Sequence, residues 1–137
     1  MEQRHRHTFD RIERLKSRKL IGQLFQDGLA VKAFPLRFIW KEISEEQSLS
    51  PVQFTVSVPK RRFKRAVDRN RLKRQIRESY RLRKATLYQQ LPDGKRYVLL
   101  VLFVGSEKIP YHQIERAMEK GLRKWMDEFR ARPTRVE

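Results

Sequence analysis

The chain has 137 residues, of which 33 are Lys or Arg and 16 are Asp or Glu, a formal net charge of +17. That length fits one domain, and the absence of cysteine excludes disulfide frameworks, thiol catalysis and cysteine zinc sites. The longest apolar run, residues 98–104, is far short of the roughly 20 residues that span a bilayer, and residues 1–7 lack the apolar stretch of a secretion signal.

These figures predict a single cytoplasmic domain with a polyanionic partner and no membrane contact. Residues 1–13 are expected as a basic, partly mobile arm, 14–130 as the globular part and 131–137 as a frayed tail. After the arm, Ser17 is placed to cap a helix whose Leu20, Ile21, Leu24 and Phe25 share a face, and Gly28 stops it. Residues 34–43 read as a strand in which Leu36, Phe38 and Trp40 alternate with Arg37, Ile39 and Lys41, with Pro35 tolerated at its start. A polar, acidic connection over 44–51 leads to a second strand over 52–58. Its Val52, Phe54, Val56 and Val58 face a core, while Gln53, Thr55 and Ser57 form a small polar face suited to a ligand.

Pro59 closes that strand, and residues 60–66 make a basic connection to a long helix with Asp68 as its expected N-cap. Residues 97–104 are apolar throughout, as in a strand covered on both faces. The last helix follows Pro110 and carries Ile114, Met118, Leu122, Trp125 and Phe129 on one stripe. The residues alone therefore predict helix, two strands, basic loop, helix, strand and helix, an α+β sandwich of helices against a small sheet.

The charge is localised. Residues 60–84 hold thirteen Lys or Arg against only Asp68 and Glu78, whereas soluble surfaces usually intersperse both signs. At about 100° per residue, Leu72, Ile76, Ser79, Tyr80, Arg83 and Leu87 form a core stripe. Lys73, Arg74, Arg77, Arg81 and Lys84 gather on another face around Asn70. Basic groups one turn apart repel by a few tenths of a kcal/mol per pair, and a phosphate backbone lying against them removes that cost. Arginine dominates the cluster, and its planar fork suits phosphate. A solvated Lys/Arg face is the plain alternative, and nucleic acid is favoured over it by the density and single sign of the run.

No protein active site is legible: there is no phosphate-cradling glycine loop, and no carboxylate cluster of the kind that holds Mg²⁺. His5 and His7 make a weak metal signal on the arm. Besides a ribonucleoprotein subunit, a plain RNA-binding module fits the composition. A DNA-binding reading lacks the helix-turn-helix spacing that precedes a recognition helix, so no DNA partner is expected.

The segment 66–74, Ala-Val-Asp-Arg-Asn-Arg-Leu-Lys-Arg, followed by Ile76-Arg77-Glu78 and Tyr80-Arg81, resembles the signature of the bacterial ribonuclease P protein subunit. Arg14-Leu15, Phe25, Gly28 and Ser57-Val58-Pro59-Lys60 agree with it, over roughly residues 9–125. The resemblance implies an α-β-β-β-α-β-α fold of the class of ribosomal protein S5 domain 2. It further implies a small mixed sheet, a short third strand within 60–66 and a left-handed β-α-β crossover.

The same resemblance implies that no protein side chain is catalytic. The partners are ribonuclease P RNA and precursor tRNA, and the RNA removes the 5′ leader with Mg²⁺ held mainly by itself. It assigns RNA binding to Lys60, Arg61, Arg65, Arg69, Asn70, Arg71, Lys73, Arg74, Arg77 and Arg81, and a leader cleft to Phe25, Phe38, Trp40 and Ser57. Read from the residues alone, Phe25 and Phe38 suit a core, Trp40 suits core or platform equally, and Asn70 suits a local cap. Two departures from the family pattern are Ile21, where an aromatic is common, and Arg62-Phe63-Lys64-Arg65, where many members carry Gly.

Overall fold

The computed structural model describes residues 11–131. Residues 1–10 of the expected arm and 132–137 of the expected tail lie outside the described residues.

Ser17 caps α1 (Arg18–Asp27), its hydroxyl accepting from the Leu20 N–H at 3.1 Å. The Gly28 N–H closes the last turn on the Leu24 carbonyl. A Cβ at Gly28 would lie 2.5 Å from that oxygen, so the stop position requires glycine. The chain then enters a strand that alternation did not reveal, β1 (Leu29–Ala33), which pairs antiparallel with β2 (Leu36–Ile43) through a turn with a cis Phe34–Pro35 peptide. The remaining elements are β3 (Val52–Ser57), α2 (Ala66–Gln90), β4 (Arg96–Phe103) and α3 (Tyr111–Ala131). The sheet runs β1-β2-β4-β3, with β3 and β4 parallel and the other pairs antiparallel, a small mixed sheet in an α+β domain.

The third strand is therefore β1, not a segment of the basic loop. β1 lies at the sheet edge and buries only Val31 and Ala33, too short an alternation to read beside Gly28. The loop after Pro59 turns instead, Arg62 and Phe63 N–H groups bonding back to the Pro59 carbonyl. Phe63 drops into the core 5.6 Å from Phe103. Arg69 donates to the Phe63 and Lys64 carbonyls at 2.8 and 2.9 Å, engaging two acceptors that a strand would offer to a neighbour.

The two sheet faces have different covers. Leu36, Phe38 and Trp40 of β2, Val52, Phe54 and Val56 of β3, and Leu99, Val101 and Phe103 of β4 join the α2 and α3 side chains in one core. Phe54 stacks on Tyr80 at 3.9 Å. Trp40 lies 5.7 Å from Trp125 and 5.4 Å from Phe129, and α3 approaches the Phe38 ring at Gly121, where any Cβ would overlap it. On the opposite face, Ile39, Ile43, Val98 and Leu100 pack with Leu20 and Leu24 of α1.

Two expectations change along α2. The helix begins at Ala66, with Arg65 in the cap position and no side-chain cap. Asp68 therefore sits in the first turn, where it pairs with Lys108 at 3.3 Å and still suits the positive helix end. Farther along, Lys84 is not on the basic face: it is only 2% exposed. Its ammonium donates to both carboxylate oxygens of Glu13, at 2.5 and 2.6 Å, and the Tyr88 hydroxyl donates to Glu13 at 2.8 Å.

Nor does the expected arm extend to residue 13, because Arg11–Glu13 forms a 3-10 turn with Glu13 5% exposed. From there Arg14 bridges to Phe54 and the Leu15 N–H bonds its carbonyl at 2.9 Å, adding a short stretch to the outer edge of β3.

Candidate nucleic-acid interface

The basic loop and α2 form the first surface. Lys60, Arg61 and Arg65 are exposed on the loop, and Asn70, Arg71 and Arg74 on the outer side of the helix; Lys73, Arg77 and Arg81 are half-buried beside them. The 25-residue helix spaces Asn70, Arg71, Lys73, Arg74, Arg77 and Arg81 at fixed intervals, so ordering these six against a ligand costs mainly side-chain entropy.

Arg69 faces the loop and holds its carbonyls, making it a brace for the interface. The Asn70 side chain makes no hydrogen bond among the described residues, so it does not cap the helix locally. Arg83, placed by angle on the core stripe, ties α2 to α3 through Glu115 and Glu119 at 3.5 and 3.3 Å.

Within this face is an open concavity of about 580 Å³ lined by Arg14, Arg74, Arg77 and Arg81, with Glu78 in its wall. Burial first, and the neighbouring Arg14 charge second, push the Arg77 guanidinium below its ordinary value. Glu78 is engaged by Arg81 at 2.7 Å, and the hydrogen bond from that guanidinium holds the carboxyl below its usual value.

The second surface lies under α1. On one side of that helix Asp27 pairs with Lys41 of β2 at 3.1 Å. At about 100° per residue Ile21 and Phe25 fall on the other side, and the sheet face beneath the helix includes the cross-strand row Arg37, Leu102 and Ser57. Phe25 is 58% exposed, and Gln53, Thr55 and Ser57 are half-buried along β3. The polar residues of β3 thus lie on the same side of the sheet as α1.

Phe38 and Trp40 do not lie on that side. At 0% and 4% exposure they belong to the opposite core against α3, because residues two apart on a strand share a face and theirs is the one that also holds Leu36. The β2 residues on the α1 side are Arg37, Ile39 and Lys41. Of the four residues expected at a leader cleft, Phe25 is exposed on α1 and Ser57 is half-buried on the sheet face that α1 covers. Arg37 and Leu102 share a cross-strand row with Ser57 and were not among the expected residues; the signal for Arg37 is the polar parity of the first strand. Arg14 was missed as a member of the helix face, because its place depends on a contact to β3 that sequence spacing does not encode.

The ribonuclease P family model matches residues 9–126. The chain belongs to the ribonuclease P protein family. The ribonuclease P protein component of Porphyromonas gingivalis is 40% identical over 111 residues, covering 80% of each chain. In three dimensions the ribonuclease P protein of Staphylococcus aureus superposes with a TM-score of 0.66 at 19% identity, over 82% of this chain and 94% of that one. The Thermotoga maritima ribonuclease P protein gives 0.64 at 19% identity, over 82% and 96%. Family membership carries a role in tRNA processing within an endoribonuclease holoenzyme. No helix among the described residues is long and apolar enough to cross a membrane.

Proposed function

We propose that this chain is the ribonuclease P subunit that binds the catalytic RNA through its loop and α2, and the 5′ leader of precursor tRNA through the cleft beside α1. The observation that carries this reading is the dense run of Lys60, Arg61, Arg65, Arg71, Lys73, Arg74 and Arg77 along the basic loop and α2. Such a face displaces counterions from a nucleic-acid backbone and binds with strong salt dependence. The cleft is less charged and offers Phe25, Ile21 and Leu102 as apolar surfaces beside hydroxyl groups, a combination that accepts unstacked bases of varied sequence.

In this reading the chemistry is the RNA's and no protein side chain is catalytic. The donor set here does not suit Mg²⁺, since no three His, Asp or Glu side chains cluster among the described residues and the proposed RNA face is cationic. Mg²⁺ is assigned to the RNA partner. The working compartment is the cytoplasm, where tRNA precursors are processed.

Cleavage of precursor tRNA by a bacterial ribonuclease P RNA at low Mg²⁺, with and without the protein, tests the assignment. Strong stimulation by the protein is expected, and none would overturn it. In the same system, replacing Arg74 and Arg77 with Ala is expected to make the salt dependence of RNA binding shallower by roughly one to two units. An unchanged slope would reduce that face to solvated surface.

A further inference from the structure

We infer that Glu13, Lys84 and Tyr88 are positioning residues that set where α1 stands relative to α2, and so align the leader-binding surface with the RNA-binding one. This inference rests on the two-surface reading above and gives a role to a buried cluster that neither surface uses.

Three observations carry it. First, residues 13–17 link the two faces of the sheet. Glu13 meets Lys84 and Tyr88 of α2. Arg14 then bridges to Phe54, and the Leu15 N–H bonds the Phe54 carbonyl, at the outer edge of β3. Leu15 is buried in the second core beside Leu20 and Leu24 of α1, and Ser17 caps that helix. This short strap therefore runs from α2 around a sheet edge to the start of α1.

Second, the hold on Glu13 is directional. Its carboxylate accepts from the Lys84 ammonium at both oxygens and from the Tyr88 hydroxyl, donors one turn apart on α2. Hydrogen bonds of defined angle fix position and orientation, whereas an apolar contact tolerates sliding. A buried ion pair adds little stability over well-packed hydrophobes, and its best-attested use is to select one register. Register matters here, because a slip of one residue along β3 would turn Leu15 to the opposite face and out of its core.

Third, the clamp lies below the surface. Glu13 and Lys84 are 5% and 2% exposed, so neither touches RNA, and any effect on binding passes through the strap to α1. Misplacing a binding group by about 1 Å can cost as much as a hundredfold in rate, which makes the placement of α1 consequential.

The test reads placement and function separately. The chain has no cysteine, so Gln26→Cys on α1 and Gln89→Cys on α2, both exposed positions, take two spin labels whose separation reports the placement. The variants are Glu13→Leu with Lys84→Met, Tyr88→Phe, and Val31→Ala, a core truncation on β1 at the other sheet edge.

In the apolar pair the distribution of label separations is expected to shift or broaden. Preference of the holoenzyme for precursor over mature tRNA is expected to fall roughly tenfold, with affinity for ribonuclease P RNA unchanged. Tyr88→Phe keeps the ring and removes one donor, and is expected to show the same changes at smaller size; it carries the test alone if the apolar pair does not fold. Val31→Ala is expected to lower the melting temperature while separation and preference stay at wild type. In the apolar-pair background Phe25→Ala is expected to cost little further preference, a non-additivity that a purely structural pair would not produce.

Wild-type separation and preference in the clamp variants overturn the inference. An equal loss of preference in Val31→Ala also overturns it, because the effect would then be one of stability. Failure of the wild-type protein to stimulate cleavage overturns the RNA reading instead, and the label separations still decide whether the clamp places α1.

Discussion

Trp40→Ala is expected to cost about 3–5 kcal/mol of folding stability, the range for deleting a large buried aromatic, while Phe25→Ala leaves stability within about 0.5 kcal/mol, as for exposed positions. The two aromatics sit on opposite sides of the sheet. Trp40 is enclosed by Tyr97, Trp125 and Phe129, with ring centroids 5.4–5.9 Å away, so truncation opens a void that several rigid rings cannot collapse to fill. Phe25 has most of its surface in solvent, and truncation removes a platform without opening a cavity.

Function is expected to separate the same two variants in the reverse order. Phe25→Ala should weaken the preference for precursor over mature tRNA by about 1–3 kcal/mol if one base stacks on the ring, with affinity for the RNA subunit unchanged. Denaturant unfolding together with precursor and mature tRNA binding to the holoenzyme reads both effects. A stable Trp40→Ala protein that loses leader discrimination would return Trp40 to the cleft.

The same pair shows what could be read from residues alone. Period-two alternation correctly divided β2 into Leu36, Phe38, Trp40 and Arg37, Ile39, Lys41, but both parities contain large apolar groups. Which parity faces α1 depends on how β2 pairs with β4 and β4 with β3. Ser57 pairs with Leu102, and Leu102 with Arg37; Phe38 shares its row with Val101 and Val56, which face the other core. Ser57 and Phe38 therefore cannot line one cleft, and only the long-range register makes that visible.

Local signals fared better. The Ser17 cap, the Gly28 stop and the stripe on α3 are set within one or two turns of chain, and each stands where capping and periodicity placed it. β1 escaped because an edge strand needs only half a hydrophobic face. The basic side of α2 was legible by helical angle for Arg74, Arg77 and Arg81. Lys84 lies on the same angular sector, yet it is buried because the N-terminal segment, 71 positions away in sequence, crosses over it.

That crossing makes Lys84→Ala the other large effect. Removing one member of a buried ion pair leaves the remaining charge without compensation, which typically costs about 3–5 kcal/mol, a large fraction of the about 5–15 kcal/mol that holds a domain folded. Here the Glu13 carboxylate would lose the ammonium that meets both its oxygens and keep the Tyr88 hydroxyl at 2.8 Å, and the lost lysine stem would leave a void beneath it.

The apolar double replacement, Glu13→Leu with Lys84→Met, is expected to recover most of that stability, since well-packed hydrophobes of similar volume substitute for buried pairs at little cost. Thermal or denaturant unfolding of the two variants decides this. A loss below about 1 kcal/mol in Lys84→Ala would mean that the pair contributes no more than an exposed one.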